Sequence, residues 1–316
     1  MLHTRRDIGK MALASAARSA LAGVKPQSVF GGVQIGVISY SFRALPSSAE
    51  DVLKYCLECG IGAIELISDV AETFAGSPVT SGGSGGGRAP NTPERQAAMQ
   101  KAASDRTQWR LSVSMDKYKA FRKMYAEAGV KIYAFKLPPT MSMSDQEYEY
   151  IWNVAETIGA NHITMELPAS DEFLQRVAEY AAKRKLRIAF HTHGHGGDSG
   201  FAKALSASNF TALNLDVGHY FGVTGESPVP VIEKYHDRIA SLHLQDRRGP
   251  SIASPKGGPN MPWGQGETPL KEILQAFKKK KYWFPASIEY EYDTPAGSDV
   301  LAEVKKCVQF CQQALA

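Results

Sequence analysis

The stretch Arg187–His195, RIAFHTHGH, runs a short apolar segment (Ile188, Ala189, Phe190) into His191, after which Gly194, Gly196 and Gly197 break it open. Residues two apart on a strand share a face, so His191 and His193 would project the same way at the C-terminal end of a strand. The pattern recurs along the chain. Ile163-Thr164-Met165 ends in Glu166, Leu213-Asn214-Leu215 in Asp216, Ile239-Ala240-Ser241-Leu242 in His243, and Pro285-Ala286-Ser287-Ile288 in Glu289. Buried-looking strands that each deliver His, Asp or Glu as they emerge describe a metal or acid–base site at one rim of a sheet or barrel.

Working outward from that stretch, the apolar runs and turn signals predict eight strands: Gln34–Ser39, Gly62–Ile67, Lys131–Leu137, His162–Glu166, Arg187–His191, Leu213–Asp216, Ile239–Leu244 and Ala286–Tyr290. Helices separate them. Ser47 or Ser48 caps a first helix through Glu58 that Gly60 stops, and Thr92 with Pro93 opens another. Ser112 and Ser114 are caps for a helix reaching Ala128, so Trp109–Val113 is not read as a strand. Further helices are expected at Asp145–Ile158, Ser170–Lys183, Phe201–Ala207, Val229–Tyr235, Leu270–Lys279 and Ser298–Ala314. Eight strands alternating with helices predict a single-domain parallel (β/α)8 TIM barrel over residues 31–316. A doubly wound open sheet is disfavoured because no Gly-rich phosphate fingerprint follows the first strand.

Two segments fall outside that pattern. Residues 1–30 read as a leader and linker: Thr4-Arg5-Arg6-Asp7-Ile8 resembles a twin-arginine export motif, a weakly apolar stretch follows, and Ala20-Leu21-Ala22 fits a small-residue cleavage site. Export to the periplasm is the expected localisation. Residues 77–90, containing SGGSGGG at Ser81–Gly87, read as a flexible surface insertion.

The formal charge of +4 falls to +1 if cleavage after Ala22 removes Arg5, Arg6, Lys10, Arg18 and Asp7. A mature domain so near neutrality gives no electrostatic case for nucleic acid. Lys278–Lys281 is a basic run, but it closes a predicted helix, where lysines complement the dipole. No apolar run is long enough to span a bilayer. The four cysteines form two close pairs, Cys56/Cys59 and Cys307/Cys311, without the Cys or His neighbours a zinc ribbon needs. Barrel closure would make their helices neighbours, and an exported protein could then form one cross-helix disulfide.

In a barrel the active site lies at the C-terminal ends of the strands, where Glu65, Lys136, Glu166, His191, Asp216, His243 and Glu289 would converge. Two His and several carboxylates without a thiolate suit one divalent ion, Mn, Co, Zn, Fe or Mg. The candidate metal ligands are Glu166, His191, Asp216, His243 and Glu289, with Glu291 as a spare. His193, His195 and His219 are read as supporting or substrate-binding groups.

The succession LDVGH (residues 215–219), HLQDR (243–247), PWGQGE (262–267) and SIEYE (287–291) resembles the xylose isomerase-like barrel superfamily, and its sugar phosphate isomerase/epimerase branch in particular. The resemblance covers roughly residues 33–316. It implies a divalent ion held by residues from strands 5 to 8, which here are His191, Asp216, His243 and Glu289. Many members carry Glu where this chain has His191, and Glu166 on strand 4 is the alternative source of that carboxylate. Abasic-site endonucleases of the same superfamily use His ligands from early strands; here those strands offer Glu65 and Lys136.

The implied activity is metal-dependent isomerisation or epimerisation of a keto-sugar through an enediolate. Loss of a β-substituent instead would make the protein a 3-keto-glycoside lyase. A non-catalytic periplasmic carbohydrate-binding barrel is the rival from another class. Candidate acids and bases are Glu166, Glu289, Lys136 and His193, with the Lys136 pKa expected to be depressed beside the metal. Candidate substrate contacts are Glu65, His219, Arg247 and Trp263, the last as a wall for a sugar face.

Overall fold

A computed structural model describes residues 25–78, 92–193, 197–255 and 257–316. The proposed leader lies outside these residues, as do His195 and most of the Gly-rich insertion. Eight parallel strands follow one another round a closed barrel: β1 (Val33–Ile38), β2 (Ala63–Ile67), β3 (Lys131–Lys136), β4 (His162–Glu166), β5 (Arg187–His191), β6 (Thr211–Asp216), β7 (Ile239–Leu244) and β8 (Ala286–Ile288). Closure is direct. Ile35, Gly36 and Val37 of β1 pair in parallel with Ala286, Ser287 and Ile288 of β8.

Period-two alternation sorts the strand residues. Ile35, Val37, Ile64, Leu66, Ile163, Met165, Phe190, Leu213 and Leu215 belong to the main apolar core that includes the helices. Their neighbours turn into the barrel, and many are polar: Glu65, His162, Thr164, Asn214, Ser241 and Ser287 are all buried. These groups meet across the lumen, where Tyr133 hydrogen-bonds Ser287 and His162 Nε2 lies 3.0 Å from Ser241 Oγ. Gly36 makes room for the first pair, because a Cβ there would stand 3.0 Å from the Tyr133 ring.

Several boundaries differ from expectation. The fold begins before residue 31: Val29–Phe30 pairs antiparallel with β1, and the Ser28 hydroxyl donates to Ile35 O at 2.7 Å. Strand β8 ends at Ile288 because the Tyr290 N–H leaves the ladder for Ser41 Oγ. Among the described residues, two α-helices had no expected counterpart. Ser68–Ala75 starts without a side-chain cap, so it carried no start signal, although Gly76 ends it in the left-handed conformation at φ 94°. Val217–Thr224 is capped by Asp216 itself, whose Oδ1 accepts from the His219 N–H at 2.7 Å. Its Gly218 is required by close approach, since a Cβ would stand 2.6 Å from Gln245 Cβ. As expected, Ser114 caps a helix over Met115–Glu127, and Trp109 lies in the preceding helix Pro93–Arg110.

The first and last barrel helices, Ala49–Glu58 and Val300–Leu315, meet across the seam, with Cys59 Sγ 3.9 Å from Leu301 O. All four cysteines are free and buried. No helix among the described residues is long and apolar enough to cross a membrane.

The two sides of the Gly-rich segment are tied together by a buried ion pair. Arg110 donates from Nε and Nη2 to the Glu72 carboxylate at 2.8 and 3.0 Å, and Tyr150 adds a third bond to Glu72 at 2.8 Å. Removing one partner strands the other charge in the interior. Glu72→Ala is therefore expected to cost about 3–5 kcal/mol in chemical unfolding. A loss near zero would show that Arg110 finds water or another acceptor.

Candidate metal centre

The rim of the barrel gathers the strand-end residues as the alternation predicts. His191, Asp216, His243 and Glu289 each offer one ligand atom, and these atoms lie within 4.8 Å of one another. All four residues are buried, with Asp216 and His243 at 0% exposure. A second group shares one member: Glu166, His191 and His193 satisfy the same distance limit at the more open side.

The charges in the cluster are strongly coupled. His243 lies between two carboxylates, Nδ1 2.7 Å from Glu289 Oε2 and Nε2 2.8 Å from Glu65 Oε2. Burial disfavours its charge, but Glu289 and Glu65 outweigh burial and push its pKa well above the ordinary value. Burial would raise Glu289 as well, yet His243 holds it below the carboxylate range. Asp216 goes the other way, raised well above normal by burial and then by the Glu289 charge.

Two buried atoms in this cluster have no hydrogen-bond partner, His191 Nε2 and Asp216 Oδ2. An unsatisfied lone pair in a dry interior costs free energy, and a cation removes that cost. Two imidazoles and two carboxylates, with bare lone pairs on a nitrogen and an oxygen, fit a divalent ion, which would take the place of the proton that His243 Nδ1 shares with Glu289.

Glu65 has a different place from the expected substrate contact. It is 0% exposed beneath the cluster and accepts from Thr164 Oγ1 at 2.6 Å, His243 Nε2 and Asn214 Nδ2. Burial raises its pKa, but His243, Lys136 and Thr164 bring it down to about 2, so it is a fixed negative charge that orients His243.

At the open side, Glu166 is 47% exposed and accepts from Lys136 Nζ at 3.2 Å and His193 Nδ1 at 2.9 Å. Burial raises the Glu166 pKa, and His193 and Lys136 outweigh it to leave a value of about 2. Lys136 was expected to be depressed beside a bound metal; in the metal-free site its shift runs upward. Burial does lower it, but Glu166, Glu65 and Glu289 raise it more, and the ammonium stays charged. His193 stacks edge-on between His191 and His219, at 4.4 and 4.7 Å between ring centroids.

His219 Nδ1 accepts from Arg247 Nη1 at 2.6 Å, and burial together with that guanidinium lowers its pKa to about 3, leaving a neutral imidazole. Arg247 also donates to Gly258 O, and its buried Nε is unpartnered. Trp263 packs edge-on against Phe310 of the last helix, with 5.7 Å between ring centroids. The PWGQGE loop is anchored by Asp246, whose carboxylate accepts from the backbone of Gly264, Gly266 and Thr268.

Sequence reasoning missed Asn214 and Gln245. Gln245 Nε2 donates to both Glu289 Oε2 at 2.9 Å and Glu291 Oε2 at 3.0 Å, which holds the spare carboxylate beside the cluster. Each lies two residues from a candidate ligand, Asp216 or His243. Extending the same-face rule inward and outward by one step would have found both.

Glu65→Gln tests the support beneath the cluster. It removes the anion that holds His243, and divalent-ion affinity is expected to fall about 10–100-fold in chelator competition while the far-UV spectrum is unchanged. Unchanged affinity would remove Glu65 from the site.

Comparison with known proteins fits this geometry. The model of the xylose isomerase-like TIM barrel family matches residues 53–311. An inosose dehydratase of Clostridium botulinum (strain Eklund 17B / Type B) is 35% identical over 86 residues, 26% of this chain and 28% of that protein. The match therefore spans little more than a quarter of the relative's length. Among solved structures, the probable 3-DHS dehydratase AsbF of Bacillus anthracis superposes with a TM-score of 0.60 at 15% identity, covering 88% of this chain and 98% of that one. A D-psicose 3-epimerase structure in the presence of D-fructose gives 0.56 at 13% identity, over 90% and 99%. The IOLI protein with a binding zinc atom gives 0.55 at 14%, again over 90% and 99%. At these identities the structures share a fold with this chain, and the fold and the matched model together define its kinship: the chain belongs to the xylose isomerase-like TIM barrel family.

Proposed function

We propose that this protein is a divalent-metal-dependent enzyme that moves a proton next to the carbonyl of a keto-sugar or sugar derivative, giving isomerisation or epimerisation. The observation that carries the reading is the pair of buried, unpartnered atoms His191 Nε2 and Asp216 Oδ2 within the four-residue cluster. Such a cluster supports a metal enzyme over a metal-free carbohydrate-binding barrel. The ion is held by His191, Asp216, His243 and Glu289. When bound, it would polarise a substrate carbonyl and take up negative charge as the neighbouring proton leaves.

The chain's own residues supply the proton transfer. His193 donates its Nδ1–H to Glu166, which leaves Nε2 as an acceptor and makes the pair a base with its orienting carboxylate. Lys136, charged and beside Glu166, is an electrostatic partner for developing negative charge rather than a base. Glu289 is engaged by His243 and Gln245, which suits a ligand better than a free base. His219 and Arg247 border the same mouth and are the substrate contacts in this reading.

A second reading has one specific support, the local 35% match to an inosose dehydratase. The same abstraction followed by loss of a β-substituent would give a dehydratase or lyase, with proton return from His193 to the leaving oxygen. The leader motif and near-neutral mature charge support export and a small carbohydrate substrate, without nucleic acid or membrane partners.

Asp216→Ala and His243→Ala are each expected to abolish stoichiometric metal by elemental analysis and to remove all turnover with the barrel still folded. His193→Ala should keep the metal and lose about 10²–10⁴-fold in the rate of solvent deuterium entering D-psicose, D-fructose or an inosose. Product identification then separates epimerisation from elimination. Full metal retention by either ligand variant, or deuterium exchange unaffected by His193→Ala, contradicts the corresponding assignment.

A further inference from the structure

We propose that Asn214 fixes the tautomer of His191 and thereby biases this centre toward borderline transition ions such as Co2+ and Zn2+, at the expense of Mg2+. The inference rests on the metal reading above and concerns which ion the centre prefers and which buried residue decides it.

The hydrogen bonds determine the orientation of each group in turn. The Asn214 amide has two neighbours that only its NH2 end can satisfy together, Ser241 Oγ at 2.6 Å and the Glu65 carboxylate at 3.2 Å. Reversing the amide would set its oxygen against that carboxylate. The amide oxygen therefore faces His191 Nδ1 at 2.7 Å, and Nδ1 must be the N–H. A neutral imidazole has one N–H, so the lone pair is on Nε2, the atom that is buried and has no partner. Ser241 Oγ, accepting from Asn214, also lies 3.0 Å from His162 Nε2. The donors thus run from His191 to Asn214 and from Asn214 to Ser241.

That arrangement puts a second nitrogen donor at the centre. Mg2+ favours an all-oxygen, partly hydrated shell, whereas imidazole suits Zn, Fe, Co and Ni. His191 reaches this role only with its proton held on the far side of the ring. Asn214 is accordingly a positioning residue, touching the ligand and not the ion.

The test uses the full-length protein. Long-range 15N–1H NMR on the metal-free wild type reads the His191 tautomer directly, and the expected form carries its proton on Nδ1. Dissociation constants for Co2+ and Mg2+ are then measured by calorimetry for wild type, Asn214→Leu and His191→Glu, with melting curves to verify folding. Asn214→Leu is expected to weaken Co2+ about 10–100-fold and Mg2+ less. His191→Glu should shift the Co2+:Mg2+ preference toward Mg2+. An Nε2–H tautomer in the wild type overturns the proposal whatever the variants do, as does a Co2+:Mg2+ ratio unmoved in both. If no divalent ion binds the wild type at all, it is the metal reading itself that fails.

Discussion

A carboxylate sealed inside a barrel must have its charge and lone pairs answered by protein, and Glu65 is the group on which that requirement falls hardest. It is fully buried and ionised, and it accepts from Thr164, Asn214 and His243 on three different strands. Those bonds hold β2, β4, β6 and β7 in one register at the level just below the rim. They also leave His243 with one ring nitrogen turned toward Glu289 and Asn214 with its oxygen turned toward His191. The candidate ligands are thus positioned from beneath by a network whose members never face solvent.

The rim departs from this rule of complete pairing, and the departures are concentrated. His191 Nε2 and Asp216 Oδ2 lack partners within one cluster, Gln245 Oε1, Arg247 Nε, Asn260 Oδ1 and Trp263 Nε1 lack them on β7's exit and the loop it feeds, and Trp152 Nε1 on the helix Asp145–Ile158 is the exception elsewhere among the described residues. Asp216 meanwhile caps the helix Val217–Thr224 with its other oxygen, so one carboxylate both starts a helix and offers an atom to the centre. Stability and function compete for the same side chains here. The fold meets the conflict by giving each of them one satisfied and one waiting atom.

Much of this was legible in the sequence because it follows from period-two alternation. An apolar run ending in His, Asp or Glu reports both the strand and the face of its last residue, which is why β4, β5 and β7 match their expected limits. Closure was legible through the count of eight units. What escaped had no local signal. The helix Ser68–Ala75 lacks a cap, and the helix after Asp216 is started by a residue read for chemistry alone. The polar lumen escaped as well, because Asn214, Ser241 and His162 look like interruptions of apolar strands until the cross-barrel partners are known. The Lys136 charge state likewise depends on three carboxylates from other strands, a sum that no linear spacing displays.

The central claim is that His191, Asp216, His243 and Glu289 together bind one divalent cation. X-ray absorption spectroscopy on the purified protein, at the edge of whichever metal elemental analysis identifies, tests it most directly. The account predicts a single ion per chain with about two imidazole nitrogens and two carboxylate oxygens at about 2.0–2.2 Å, and no sulfur. A shell containing sulfur, a shell without imidazole, or protein that takes up no ion at full occupancy would contradict it.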